Sequence, residues 1–292
     1  ERHGWDGETT SSLGSEKVPV GTSCWELSNS ANLPGKPNDD IRAREAALSP
    51  QKRKDITFVY VTPRRWAGKE VWAETQRASG KWRDVRAYDA DDLSQWLELS
   101  VATQIWFAEQ IGRPTDGVRS LDRCWVEWAS ATKPELSPRL FEGSIKANAS
   151  TIDRWLADTG GRPLVVTADS VAEGLAWLAC ALNGHVKESA VVASTPDALR
   201  RTAAATMESV IAIDNEEVEK GAGPYLASHH IAAVRTKKSI EKDADIELDQ
   251  ADYDSFRFAL EDMGYAHEEV SALSAQTAQS PTILRRHLAT LP

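Results

Sequence analysis

The sequence predicts an α/β protein of two domains: a mixed sheet flanked by helices at the amino end, then a second α/β domain that closes in a helical tail. Three observations predict it. At 292 residues the chain exceeds the usual length of one domain. Short β-branched and aromatic runs, such as Ile56 to Thr62 and Leu164 to Thr167, alternate with stretches of helical periodicity. A hydrophobic content of 41% with 27% charged residues is ordinary for a globular protein and too apolar for general disorder.

The elements follow in order. Gly4-Trp5-Asp6-Gly7 reads as a turn that holds the Asp6 carboxylate near the end of a strand. Residues 8 to 21, rich in Ser, Thr and Gly with Pro19, read as a long exposed connection able to reach over a bound duplex. Thr22 to Ser28 is the next strand, with Cys24, Glu26 and Ser28 on one face and Ser23, Trp25 and Leu27 on the other. Glu26 is therefore an acid between two large apolar residues, a placement uncommon in strands. Residues 29 to 37 form a second loop that carries Lys36. Asn38 caps a helix to about Leu48, with Asp39 and Asp40 in its first turn and Arg42 and Arg44 within it. Ile56 to Thr62 is a buried strand ended by Pro63, and Arg64, Arg65 and Trp66 follow at its carboxyl end. Two arginines beside an aromatic suit phosphate or base contact, or pair with surface acids. A helix from Gly68 to Ala78 begins with Lys69. Trp82 to Tyr88 is another strand, and Asp89 caps a helix from Asp91 to Leu99 whose Leu93, Trp96 and Leu97 form an apolar face.

Two carboxylates on neighbouring strands are hard oxygen ligands of the kind Mg²⁺ accepts, and a nearby lysine can orient water or neutralise charge on phosphate oxygens. The trio Asp6, Glu26 and Lys36 resembles the catalytic core of the PD-(D/E)XK, or restriction-endonuclease-like, nucleases. The run Trp25-Glu26-Leu27-Ser28, then Lys36, Asp39, Asp40 and Arg44, is similar to one branch of that family, as is Val85 to Leu93. The likeness spans roughly residues 1 to 110. It departs from the family at Ser28, where a lysine usually stands two residues after the Glu, so Lys36 is expected to take that role. The chain opens on Glu1 with no initiator Met and lacks the acidic helix that members carry before the first strand, which is expected of a fragment. The resemblance implies Mg²⁺-dependent, or Mn²⁺-dependent, cleavage of DNA, expected to be double-stranded, in bacterial antiviral defence or restriction. Asp6 and Glu26 would hold the metal, and Arg42, Arg44, Arg64, Arg65 and Lys69 would contact DNA. The rival expectation is a nuclease-like domain that no longer cuts and serves as a DNA-binding or assembly module.

From Val101 to Leu156 the pattern is helical, with breaks at Gly112 to Gly117, Lys133 to Pro138 and near Ala149. A boundary near Gly117 gives a nuclease-like domain over 1–117, a helical connector over 118–162 and an α/β domain over 163–292. In that last domain the expected strands are Leu164 to Thr167, Ala190 to Ala193, Val210 to Ile213 and His229 to Arg235, with helices Ser170 to Leu182 and Pro196 to Ala205 between them. No GxxxxGK(S/T) loop occurs, and Gly160-Gly161-Arg162-Pro163 precedes a strand where a phosphate loop must follow one. The layout resembles a degenerate P-loop or STAND-type module that has lost its nucleotide site, so no nucleotide is expected. His229 and His230 read as structural. Asp249 to Met263, His267 to Gln276 and Ser280 to Leu288 read as three helices, forming either a winged-helix-like module or a packing bundle.

The net charge of −10 argues against a general nucleic-acid coat, but charge is uneven. From Lys36 to Arg86 thirteen Lys and Arg face seven Asp and Glu, a local balance that suits phosphate binding beside the candidate site. Most of the 11 Trp lie at helix or strand spacing and read as core. Cys24, Cys124 and Cys180 show no metal or disulfide spacing, which fits a reducing compartment and a cytoplasmic protein. No apolar run approaches a membrane span, so no membrane partner is expected; a homo-oligomer or a larger defence assembly is.

Overall fold

The structure, a computed structural model, describes residues 4–158, 161–182, 186, 189–204, 208–237 and 244–289. Gly160 and Ala205, which the sequence reading used, lie outside them. The fold is α/β throughout, with a four-stranded and a six-stranded mixed sheet, each flanked by helices, and a helical tail. The chain divides into two compact units, Glu1–Glu98 and Leu99–Pro292. The segment from Leu99 to Gly117, assigned above to the first domain, belongs to the second unit. Ala102 and Val118 there share a core with Val191, Leu199 and Ile211.

In the first unit the sheet order is β1-β2-β3-β4, with β1 Gly7–Ser11, β2 Gly21–Leu27, β3 Ile56–Val61 and β4 Asp84–Tyr88. β1 is antiparallel to β2; β2, β3 and β4 run parallel. The start of the expected long connection is therefore a strand. Thr9 and Thr10 favour the pleated backbone, and Thr9 Oγ1 accepts from Trp25 Nε1 at 3.0 Å and bonds Ser23 Oγ at 2.7 Å. Nor is the remaining loop free. Lys17 is buried, its carbonyl accepts from Tyr88 Oη at 2.8 Å, and Arg86 Nη1 donates to the Glu16 carbonyl at 3.2 Å.

Strand alternation divides the unit's core as the sequence requires. On one face Phe58, Tyr60, Val85 and Ala87 pack with Trp66, Trp72, Trp82 and Ile41, and on the other Trp25, Val59, Val61 and Tyr88 pack with Leu93 and Trp96. The first face is covered by α1 Gly35–Ala47 and α3 Lys69–Ala78, and a short helix α2 Pro50–Lys54 leads into β3. Helix α1 begins a turn earlier than expected. Pro34 stands at its N-cap and Pro37 lies in its first turn, where a missing N–H costs nothing. Lys36 is thus helical rather than in a loop, Asn38 accepts from Trp72 Nε1 instead of capping, and Asp39 and Asp40 fall in the second turn. Helix α4 Ala90–Glu98 follows β4.

The second unit orders its strands β10-β6-β9-β8-β7-β5, where β5 is Val118–Ser120, β6 Leu164–Ala168, β7 Val191–Ala193, β8 Val210–Ile213, β9 His230–Thr236 and β10 Ile246–Glu247. All pairs are parallel except β5 with β7. The expected parallel core is present; β5, read as helical connector, is an added edge strand. Helix α7 Glu142–Ala157 runs through Ala149 without the expected break, since the alanines are strong helix formers and Asn148 Nδ2 bonds back to the Ser144 carbonyl at 2.8 Å. The tail is α11 Tyr253–Asp262, α12 His267–Thr277 and α13 Pro281–Leu288, and it packs into the main core through Phe256, Leu260, Val270 and Leu284.

Candidate functional site

The carboxyl ends of β2 and β3 gather the charged side chains of the first unit. Gly7 pairs with Trp25, so Asp6 lies one step beyond the ladder beside Glu26. The Asp6 backbone N–H donates to the Trp25 carbonyl at 3.1 Å, and its Oδ2 accepts from the Leu27 N–H at 2.8 Å. Asp6 is thus an exposed carboxylate clamped to the strand that carries Glu26, with Oδ1 free of that clamp. Glu26 is opposite Tyr60 in the parallel register, and both face the helical layer.

Helix α1 presents Lys36, Asp40 and Arg44 at i, i+4 and i+8, beside the buried pair Pro37 and Ile41. Lys36 Nζ pairs with Asp40 Oδ1 at 2.6 Å. The Asp40 bond holds the Lys36 ammonium above its usual pKa, with Tyr60 and Glu26 adding to the effect. Arg44 Nε bonds Glu26 Oε1, its Nη2 reaches the Gly4 carbonyl, and its guanidinium stacks 5.0 Å from the Trp5 ring centroid. Burial pushes the Glu26 carboxyl up, Arg44 draws it down, and Asp6 and Asp40 push it up again. Glu26 thus interacts with Asp6 on one side and with Lys36 on the other, but the direct partner of Lys36 is Asp40 and that of Glu26 is Arg44. Among the described residues, no three or more His, Cys, Asp or Glu side chains form a group that could hold a metal ion. The two neighbouring carboxylates are hard oxygen donors of the type Mg²⁺ uses when water and phosphate oxygens complete its shell.

The residues expected to meet DNA separate. Arg42 is exposed, on the face of α1 away from the sheet. Arg44 is held within the protein as above. Arg64 is exposed, with its Nε on the Asn29 carbonyl at 2.6 Å, and Arg65 is exposed and pairs with the exposed Asp91 at 3.1 Å. These two arginines edge an open groove of about 820 Å³ between Ala31, Leu33 and Pro34 on one side and residues 63–68 on the other. Lys69 turns inward: its Nζ is 2.7 Å from Asp89 Oδ1 and also bonds Asp92, and its side chain is largely buried. Asp89 caps α4 through the Asp91 and Asp92 N–H groups, as expected, and is buried as well. Burial opposes its charge, yet Lys69 and the backbone N–H groups of Trp66 and Asp92 hold its carboxyl down at about 2. Asp89 fixes the 63–68 loop by accepting from Trp66 N at 2.9 Å, so Lys69 and Asp89 shape the groove from beneath.

Tyr60 did not stand out in the sequence, and Asp40 stood out only within the family-like run, not as the partner of Lys36. Asp40 is found by its i+4 spacing from Lys36 once α1 is known to start before Lys36, and Tyr60 by counting β3 in register with Glu26.

In the second unit the switch point lies between β6 and β9, whose following connections leave in opposite directions. Asp169 and Glu173 follow β6 there. Lys237 is 3.4 Å from Asp169, Ser280 Oγ donates to Asp169 at 3.0 Å, and Thr282 Oγ1 donates to Glu173 at 2.5 Å. Two carboxylates stand where a nucleotide phosphate would need cations, and the first turn of α13 covers them. His229 bonds Ser209 and the Ala203 carbonyl, and His230 bonds Glu208.

A scan against protein-family models finds no matching family, and no curated protein matches the chain. No helix among the described residues is long and apolar enough to cross a membrane.

Proposed function

We propose that the first unit is a metal-dependent DNA endonuclease of a defence or restriction type that hydrolyses phosphodiester bonds at the Asp6–Glu26–Lys36 cluster. The observation that carries this reading is the clamp of Asp6 onto β2 beside Glu26, with the Lys36 ammonium on α1 feeling the Glu26 charge. The donor chemistry fits a hard dication: one buried and one exposed carboxylate, side by side, with Glu26 costly to keep charged unless a cation faces it. Asp6 and Glu26 would hold Mg²⁺ or Mn²⁺, which when bound supplies Lewis-acid polarisation of a phosphate and a more acidic water. Asp40 holds the Lys36 ammonium protonated and in place, so that Lys36 acts as a fixed positive charge against phosphate oxygens rather than as a base. Arg64 and Arg65 bind backbone phosphates along the groove edge, where their exposure leaves them available. The second unit contributes assembly or sensing and binds no nucleotide, the carboxylates after β6 being its least favourable feature for phosphate. The three cysteines form no disulfide among the described residues, which suits a cytoplasmic setting.

One observation favours a second reading, a nuclease-like domain that binds DNA without cutting. Glu26 is bonded to Arg44 and Lys36 to Asp40, so the site's charges satisfy one another. Mg²⁺-dependent nicking of plasmid DNA tests the choice. Cleavage by the wild type, lost in both Asp6→Asn and Glu26→Gln, is the expected result; wild-type rates in either variant, or no cleavage by the wild type, would leave the binding module.

A further inference from the structure

We propose that the Tyr60 hydroxyl holds one oxygen atom, of water or of a phosphodiester, against Lys36 and Glu26, making Tyr60 a positioning residue of the candidate site. The inference rests on the endonuclease reading for its role, but its oxygen-binding part stands without it. Tyr60 is fully buried, and its ring is fixed by Trp66 at 6.0 Å and Trp72 at 6.2 Å between centroids. A phenylalanine would fill that core equally well. The hydroxyl, however, is buried with no hydrogen-bond partner among the described residues. Leaving such a group unbonded is costly, and buried polar groups of this kind are completed by an ordered water or a ligand atom.

The surroundings say which atom. Tyr60 is opposite Glu26 in the strand register. Burial raises the pKa of its hydroxyl most, Ser28 lowers it as a neighbouring hydrogen-bonding group, and the charges of Asp40, Lys36 and Glu26 act on it in turn. Ser28 Oγ already accepts from the Ser30 N–H at 3.2 Å. An oxygen placed here meets a phenol donor and a lysine ammonium, with carboxylate acceptors beyond; water can use both kinds of partner, a phosphodiester oxygen only the donors, and an apolar group neither.

High-resolution crystal structures of the wild type and of Tyr60→Phe, alone and with an uncleaved duplex, test the proposal alongside single-turnover cleavage and duplex affinity. The expected result is an ordered oxygen within about 3.2 Å of Tyr60 Oη that is absent from Tyr60→Phe. Its presence in the protein alone identifies water, and its presence only in the duplex complex identifies a phosphate oxygen. Cleavage by Tyr60→Phe should be roughly a hundredfold slower with unchanged duplex affinity. A wild type that never cleaves yet shows the oxygen, lost in the variant, overturns the endonuclease reading and keeps the oxygen site. No oxygen at the hydroxyl in either crystal, or full cleavage by a variant that keeps the oxygen, overturns the proposal.

Discussion

Replacing Glu173 by glutamine should make the second unit more stable at neutral pH and leave it unchanged in acid. Glu173 lies on α8 Val171–Ala181, only 1% exposed, with Thr282 donating to it at 2.5 Å. Burial lifts its carboxyl from 4.5 to about 7; Asp169 adds to the rise, and Thr282 and Lys237 work against it. Between those two values the folded protein keeps a proton that the unfolded chain has lost, so stability falls as pH rises through the window. The gap of about 2.5 pH units corresponds to about 3 kcal/mol, fully present below about pH 4.5 and lost above about pH 7. Glutamine keeps an acceptor for Thr282 and has no charge to bury, so Glu173→Gln removes this slope. Urea unfolding of both proteins at intervals from pH 4.5 to 8, followed by fluorescence of the core tryptophans, gives the difference directly. Curves separated by the same amount at both ends of the range would refute the reasoning.

Further outcomes concern the first unit. Lys36→Met should slow single-turnover cleavage by about two to three powers of ten with duplex affinity nearly unchanged, as for loss of one transition-state charge; a full rate would remove Lys36 from the chemistry. Arg64→Ala with Arg65→Ala should flatten the dependence of log affinity on log salt by about one to two, measured by duplex titration at several salt concentrations. An unchanged slope would make both arginines structural. Arg44→Met leaves the Glu26 carboxylate buried and unpaired and should cost about 3 kcal/mol in denaturant unfolding. The double variant with Glu26→Gln should recover most of that, and failure to do so would mean that Arg44 stabilises mainly through its stack on Trp5.

The strands and most helices were legible because their signals are local. Ile56 to Val61 is apolar and β-branched with a proline just beyond, and the units after Leu164 alternate strand and helix at short spacing. The start of α1 was not legible, because Asn38 followed by two aspartates is a good cap in isolation. Tertiary packing overrode it: Trp72 takes the Asn38 side chain, and burial of Pro37 and Ile41 draws the previous turn into the helix. At the candidate site, Asp6 and Glu26 were readable as neighbours from the turn and the strand that follow each other in sequence. Their partners were not. Arg44 lies 18 residues from Glu26, and Lys69 lies 20 from Asp89, so nothing local distinguishes an arginine that neutralises a buried acid from one that grips DNA.

That distinction bears on how the candidate site would work. Arg44 holds Glu26 from one side, and its own place is fixed by Gly4 and Trp5, the residues that lead into Asp6. The same guanidinium thus positions the first carboxylate through the backbone and neutralises the second through a bond. A dication reaching Glu26 must compete with Arg44 for the carboxylate, since two cations on one buried group repel each other. If Arg44 stays, its charge lowers metal affinity and favours a weakly held ion that substrate phosphate would help to retain. If it swings away, the Trp5 stack and the Gly4 bond are lost together. The first course costs less because it breaks no packing. On the proposed endonuclease reading it would make occupancy of the site depend on substrate, a property that suits a nuclease kept silent until its target is bound.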